Sequence, residues 1–146
     1  MEGELATRLR RGRESYGRQF GVPPEEAEAR LGELVGERMA GEAVLAAGGV
    51  WGSGPLATRD RSVAVVSALV ALGGVGPRLR AHLRLAVENG LTREDLEELL
   101  TLLAVYVGYA RASVAMEELR AALAEPLAAP PPTQPPGPPP SQAPVG

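Results

Sequence analysis

The chain contains no cysteine. It therefore has no disulfide, no sulfenate and no thiolate nucleophile, and thiol chemistry is excluded. Lysine is absent as well, so all 15 basic residues are arginine. With the abundance of Ala, Gly and Pro this reflects GC-rich coding and carries no functional message. Aromatic residues are few: Phe20, Trp51, Tyr16, Tyr106 and Tyr109 are the whole set, too sparse for a base-stacking surface. The net charge of −3 gives no general attraction to a phosphate backbone, so no nucleic-acid partner is expected. Long apolar runs are also missing. The longest, Val63 to Leu72, is interrupted by Ser67 and falls short of the roughly twenty residues that cross a bilayer. No membrane partner is expected, and the N-terminal MEGELATRLRRGRES lacks the apolar segment of a secretory leader. A soluble, cytoplasmic protein is the expectation.

Proline is concentrated at one end. From residue 126 the chain reads PLAAPPPTQPPGPPPSQAPVG, without charge and with little to bury, so it cannot offset its ordering entropy. Two regions follow: a folded unit over 1–125 and a flexible proline-rich tail over 126–146.

Within the folded unit every segment has helical periodicity. Glu4 to Gln19 carries Arg8, Arg10, Arg11, Arg13 and Arg18 against few apolar residues, and predicts a weak helix at the surface or in a subunit contact. Pro23-Pro24-Glu25-Glu26 marks a helix start. Ala27, Leu31, Leu34 and Val35 follow at helical spacing, and Gly36 and Gly41 interrupt the pattern before Gly48-Gly49. Val50 to Pro55 is a loop by composition. Thr58 is the expected N-cap of a helix reaching Leu72. That helix is apolar nearly all round and belongs in the centre of a bundle. Pro77 opens an amphipathic helix with Leu79, His82, Leu83 and Ala86 on one face, ended by Asn89-Gly90. Thr92 and Asp95 form a capping box ahead of the stripe Leu96, Leu99, Leu100, Leu103 and Val107. Gly108 marks a break, and a last helix runs to about residue 124. The predicted fold class is all-α.

One block is more specific than a bundle pattern. Thr58-Arg-Asp-Arg-Ser-Val, then LVALG, LRAHLRLAVENGLTREDLEELL and AVYVG resemble the carboxymuconolactone decarboxylase family of the alkylhydroperoxidase D-like superfamily. TRLRRGRESYG and VWGSGPL resemble the family's N-terminal turn and its Trp-Gly loop more loosely. The resemblance implies a helical subunit in a homo-oligomer, a trimer or hexamer. The superfamily's peroxidase branch carries Cys-x-x-Cys-x-x-x-His on the histidine helix. Here Val75 and Arg78 stand in the two cysteine slots before His82, and Ser62 and Val63 stand near the place of that branch's glutamate. Peroxide reduction through a dithiol is therefore excluded.

The decarboxylase branch implies a different chemistry on a small carboxylated lactone. Loss of CO2 leaves a dienolate delocalised onto the lactone carbonyl, so no organic cofactor and no metal is required. The enzyme must hold a carboxylate, stabilise an oxyanion and return a proton to carbon. His82 has the only side chain whose ordinary pKa lies near neutrality, and is the natural acid/base. Arg61 is the candidate carboxylate anchor, although a helix-start arginine is by default paired with a nearby acid such as Asp60, Glu97 or Glu98. Arg59, Trp51, Tyr106 and Glu98 complete the candidate substrate-binding set. Trp51 and Tyr106 serve equally well as packing residues. The sequence departs from the branch at Leu102, where His or Gln is common, and at Tyr109-Ala110, where a proline is common. These departures favour an alternative, a non-catalytic oligomeric scaffold or ligand-binding module.

Overall fold

Proline and glycine set the helix boundaries. The computed structural model describes residues 2–51 and 53–124, and among these it contains seven helices and no strand. They are α1 (Glu2–Phe20), α2 (Pro24–Val35), α3 (Glu37–Val50), α4 (Thr58–Ala71), α5 (Pro77–Glu88), α6 (Arg93–Val107) and α7 (Tyr109–Ala124). Pro24 and Pro77 sit in the first turns of their helices, where the missing N–H costs nothing. Gly36 and Gly108 have φ of 88° and 92°, a region that side chains with a Cβ avoid. Each lets one helix follow another with a single residue between them. Gly41 causes no break, and α3 runs through it. The proline-rich segment predicted over 126–146 lies outside the described residues.

The helices close two apolar cores. Val66 and Val70 of α4, Leu79, Leu83 and Ala86 of α5, Leu96 and Leu100 of α6, and Ala115, Leu119 and Ala122 of α7 form the larger one, with Leu91 from the α5–α6 turn. Burial of each large side chain here contributes about 1.5–3 kcal/mol. Leu31, Ala40 and Val44 form the smaller one between α2 and α3, with Leu9, Tyr16 and Phe20 of α1 packed against it. The capping box at Thr92 forms as the sequence predicts, with Thr92 Oγ1 accepting from Asp95 N at 3.0 Å and Asp95 Oδ2 accepting from Thr92 N at 2.8 Å.

Three expectations need correction. Thr58 is not an N-cap: Ala57 occupies that position and no side chain caps the helix. The loop is held from the next turn instead, by Arg61. The α4 helix is not sheathed all round either. Ser62, Val66 and Val70 form one buried stripe, while Leu72 is 83% exposed. Finally, α1 is no weak surface helix. It packs along both α2 and α3, with Leu9, Tyr16 and Phe20 against the smaller core and glycines at the closest approaches to α3. A Cβ at Gly12 would overlap the Val44 carbonyl, and one at Gly48 would overlap the Arg8 carbonyl. Two backbones therefore touch directly, and an apolar-periodicity search cannot register a contact made by hydrogen atoms.

Candidate functional site

His82 stands on α5 with Leu79 and Leu83, both fully buried, as near neighbours in sequence. Those leucines hold the face against the core and leave the imidazole half-buried at its edge, towards α1. There the Gln19 side-chain amide nitrogen lies 3.3 Å from His82 Nε2. Arg78, one helical turn before His82, is exposed and has no ion pair or hydrogen bond among the described residues. Burial and then the Arg78 charge push the His82 pKa below its ordinary value. The same two influences oppose each other at Tyr16, where burial raises the phenol and Arg78 draws it down. A polar cluster of Tyr16, Gln19, Arg78 and His82 thus spans the α1–α5 seam. Of these four, only His82 was marked as functional by the sequence. Tyr16 and Gln19 belong to a helix that shares no motif with α5, and nothing in their spacing signals the contact.

The lowered His82 pKa makes a stability prediction. Between about 6.5 and the lower folded value, the unfolded chain binds a proton that the folded chain does not. Stability from this group is complete above pH 6.5 and falls as pH drops through that window. Thermal unfolding should show a lower Tm at pH 5.5 than at pH 7.5, and His82→Gln should flatten that difference. An unchanged pH slope in His82→Gln would contradict the assignment.

The other candidates lie apart from His82. Arg61 turns back on the loop before α4. Its Nε donates to Leu56 O at 2.9 Å and its Nη2 to Ser53 O at 2.6 Å, while Nη1 donates to Val50 O. Neither Asp60 nor Glu97 nor Glu98 is its partner; the guanidinium is a clip for the chain between α3 and α4. Arg59 approaches Asp95 at 3.5 Å and Asp60 at 3.9 Å. Asn89 Nδ2 donates to Ser62 Oγ at 2.9 Å, which sets the end of α5 beside the start of α4. His82 is two turns from Asn89, about 10 Å along the axis, and the Arg61 guanidinium is taken up by backbone carbonyls of the α3–α4 segment. Glu98 is exposed on α6 without an ion pair among the described residues, and Tyr106 is 78% exposed. The two slots of the absent dithiol, Val75 and Arg78, are both exposed. No group of three His, Asp or Glu among the described residues is placed to hold a metal ion.

Trp51 closes α3 and lines a cavity of about 550 Å³ against the face of α1 that carries Arg11, Ser15 and Arg18. The α1–α2 turn, Gly21 to Pro24, forms its far wall.

Comparison with known proteins bears on the α3–α7 part of this arrangement. The profile of the "Carboxymuconolactone decarboxylase family" matches residues 40–121, more than half of the chain. The chain belongs to the carboxymuconolactone decarboxylase family. A protein of Acinetobacter baylyi named 4-carboxymuconolactone decarboxylase is 37% identical over 69 residues, covering 47% of this chain and 51% of that protein. The chain thus spans about half the length of the curated relative it matches. No solved structure matches it. The carboxymuconolactone decarboxylase match takes in Trp51, Arg59, Arg61, Arg78, His82, Glu98 and Tyr106, whereas Tyr16 and Gln19, which complete the His82 cluster, lie before its first residue. Among the described residues no helix is long and apolar enough to cross a membrane.

Proposed function

We propose that this family member is a cofactor-free, decarboxylase-like enzyme acting on a small carboxylated lactone or a related cyclic acid. The observation that carries the proposal is the chain's single histidine, held half-buried at a seam beside an unpaired Arg78 and the Gln19 amide. In this scheme the substrate carboxylate lies towards Arg78, which faces the same side of α5 as His82, at the positively polarised first turn. CO2 departs, its electron pair passes into the ring and onto the lactone carbonyl, and His82 delivers a proton to carbon. The imidazole then recovers its proton from solvent. Arg61 serves the fold in this scheme, bracing the chain between α3 and α4. The family relationship and the relative's printed name support a lyase of this kind.

A homo-oligomer, trimer or hexamer, is part of the proposal. Leu102, Val105, Tyr106 and Tyr109 are 55–78% exposed along the α6–α7 junction, and contiguous apolar surface of that kind is what subunits cover. The same face supports the second reading, a scaffold that kept the fold and lost the chemistry. The decisive experiment incubates purified protein with 4-carboxymuconolactone and follows substrate ultraviolet absorbance and CO2 release. Turnover supports the proposal. A folded protein with no turnover at micromolar concentration rejects this substrate and favours the scaffold.

A further inference from the structure

The cavity between α1, the α1–α2 turn and Trp51 has features that the His82 cluster does not use. Arg11, Ser15 and Arg18 recur at i, i+4 and i+7, so they form one stripe of α1. The two arginine backbones are about 10 Å apart along the axis, with Ser15 between them. Neither Arg11 nor Arg18 has an ion pair or hydrogen bond among the described residues. The third charged residue of the lining, Glu14, is engaged elsewhere: its carboxylate accepts from Arg10 Nη1 at 2.7 Å. The lining therefore carries two arginines and one carboxylate, and of these three only Glu14 has an ion-pair partner among the described residues, Arg10.

Ser15 adds a hydroxyl to the lining between the two arginines. It is only 7% exposed, yet its hydroxyl makes no hydrogen bond among the described residues. Every described side-chain oxygen or nitrogen that is sealed from solvent has a partner. The Ser15 oxygen must therefore reach open space, and the space it borders is the cavity. A hydroxyl that opens on this space is free to donate to a ligand held there.

The remaining walls are flat or slim. Trp51 supplies an indole, Pro23 and Pro24 supply rings, and Gly17 and Gly21 keep the backbone close. The site is an open depression rather than an enclosed cavity, and its volume of about 550 Å³ is of the size that takes one small molecule. Cations select an anion, and forked guanidinium donors match a carboxylate. An indole beside them selects a flat ring.

We infer that this cavity is a binding site for a monocyclic planar carboxylate. Arg11 and Arg18 hold its carboxylate, the Ser15 hydroxyl donates to it, and its ring lies against Trp51. The site stands independently of the chemistry assigned to His82. Apart from Trp51, its lining lies before residue 40, outside the part of the chain matched by the family profile.

The intact protein supplies its own reporter, because Trp51 is the only tryptophan. Benzoate is the probe, with acetate (no ring) and benzamide (no charge) as comparisons, at low ionic strength. Benzoate should change Trp51 emission saturably, and acetate and benzamide should bind at least about tenfold more weakly. Arg11→Gln and Arg18→Gln should each weaken benzoate binding severalfold with far-ultraviolet circular dichroism unchanged. Arg30→Gln, remote from the cavity, and His82→Gln should bind as the native chain does. Absence of a saturable change up to about 10 mM benzoate, equal binding of benzamide, or native affinity in both cavity variants would each overturn the inference. Loss of benzoate binding in His82→Gln would overturn its independence from the His82 site.

Discussion

Gly48→Ala is expected to destabilise the protein by about 3 kcal/mol or more, the upper part of the range for overpacked sites. At this chain length that corresponds to a fall in Tm of roughly 10 °C, read by circular dichroism at 222 nm. The cost is high because the added Cβ meets the Arg8 carbonyl and, at 3.0 Å, the Gly12 amide nitrogen. Both are backbone atoms, so no side-chain rotation relieves the overlap and α1 must lift from α3. Gly12→Ala, against the Val44 carbonyl, should behave alike. Gly41 lies on the same helix and supplies the control. A Cβ there meets only Glu28 Oε1, at 3.8 Å, so Gly41→Ala should stabilise by about 0.5–1 kcal/mol through helix propensity. One substitution type on one helix should thus give opposite signs. A native Tm in Gly48→Ala would refute the direct backbone contact.

His82→Gln should lower kcat by about 10²–10⁴-fold on any carboxylated lactone that is turned over, the usual contribution of a general acid. The pH profile adds a sharper test. Burial and Arg78 hold the free imidazole below its ordinary pKa, so at neutral pH the resting enzyme is mostly unprotonated there. A bound carboxylate beside Arg78 offsets that charge and raises the histidine. The falling limb of kcat/KM, which reports free enzyme, should therefore lie below pH 6.5, and that of kcat should lie higher. Arg78→Gln should move the kcat/KM limb upward, because one source of the depression is gone. Coincident limbs, or a limb unmoved in Arg78→Gln, would remove His82 from the proton-donor role.

The sequence disclosed what depends on periodicity and on residues with a special backbone. The helical class, the breaks at Gly36 and Gly108, the start at Pro77 and the Thr92 capping box could all be read from it, because each is a local property. What escaped was non-local. Gly12 and Gly48 are 36 positions apart and look like weak points of two separate helices until the backbones are seen to cross. Tyr16 and Gln19 have no local mark that points to α5. Arg61 has the composition of an anchor, but its donors are drawn to the carbonyls of a loop that has no helical partners of its own. Arg11 and Arg18 were visible as members of a basic run, and Ser15 between them was not marked. The meaning of that run depends on which of those arginines find a carboxylate, and that is decided by geometry.

The two apolar cores share no residue, and this gives the molecule a mechanical grain. Between α1–α3 and α4–α7 the packing runs along α1 and α5, and Arg61 of α4 ties back to Val50 at the end of α3. The Gln19–His82 pair lies on that line. Any change in its length alters the hydrogen-bonded state of the chain's one imidazole, so a shift between the two groups of helices is coupled to its proton chemistry.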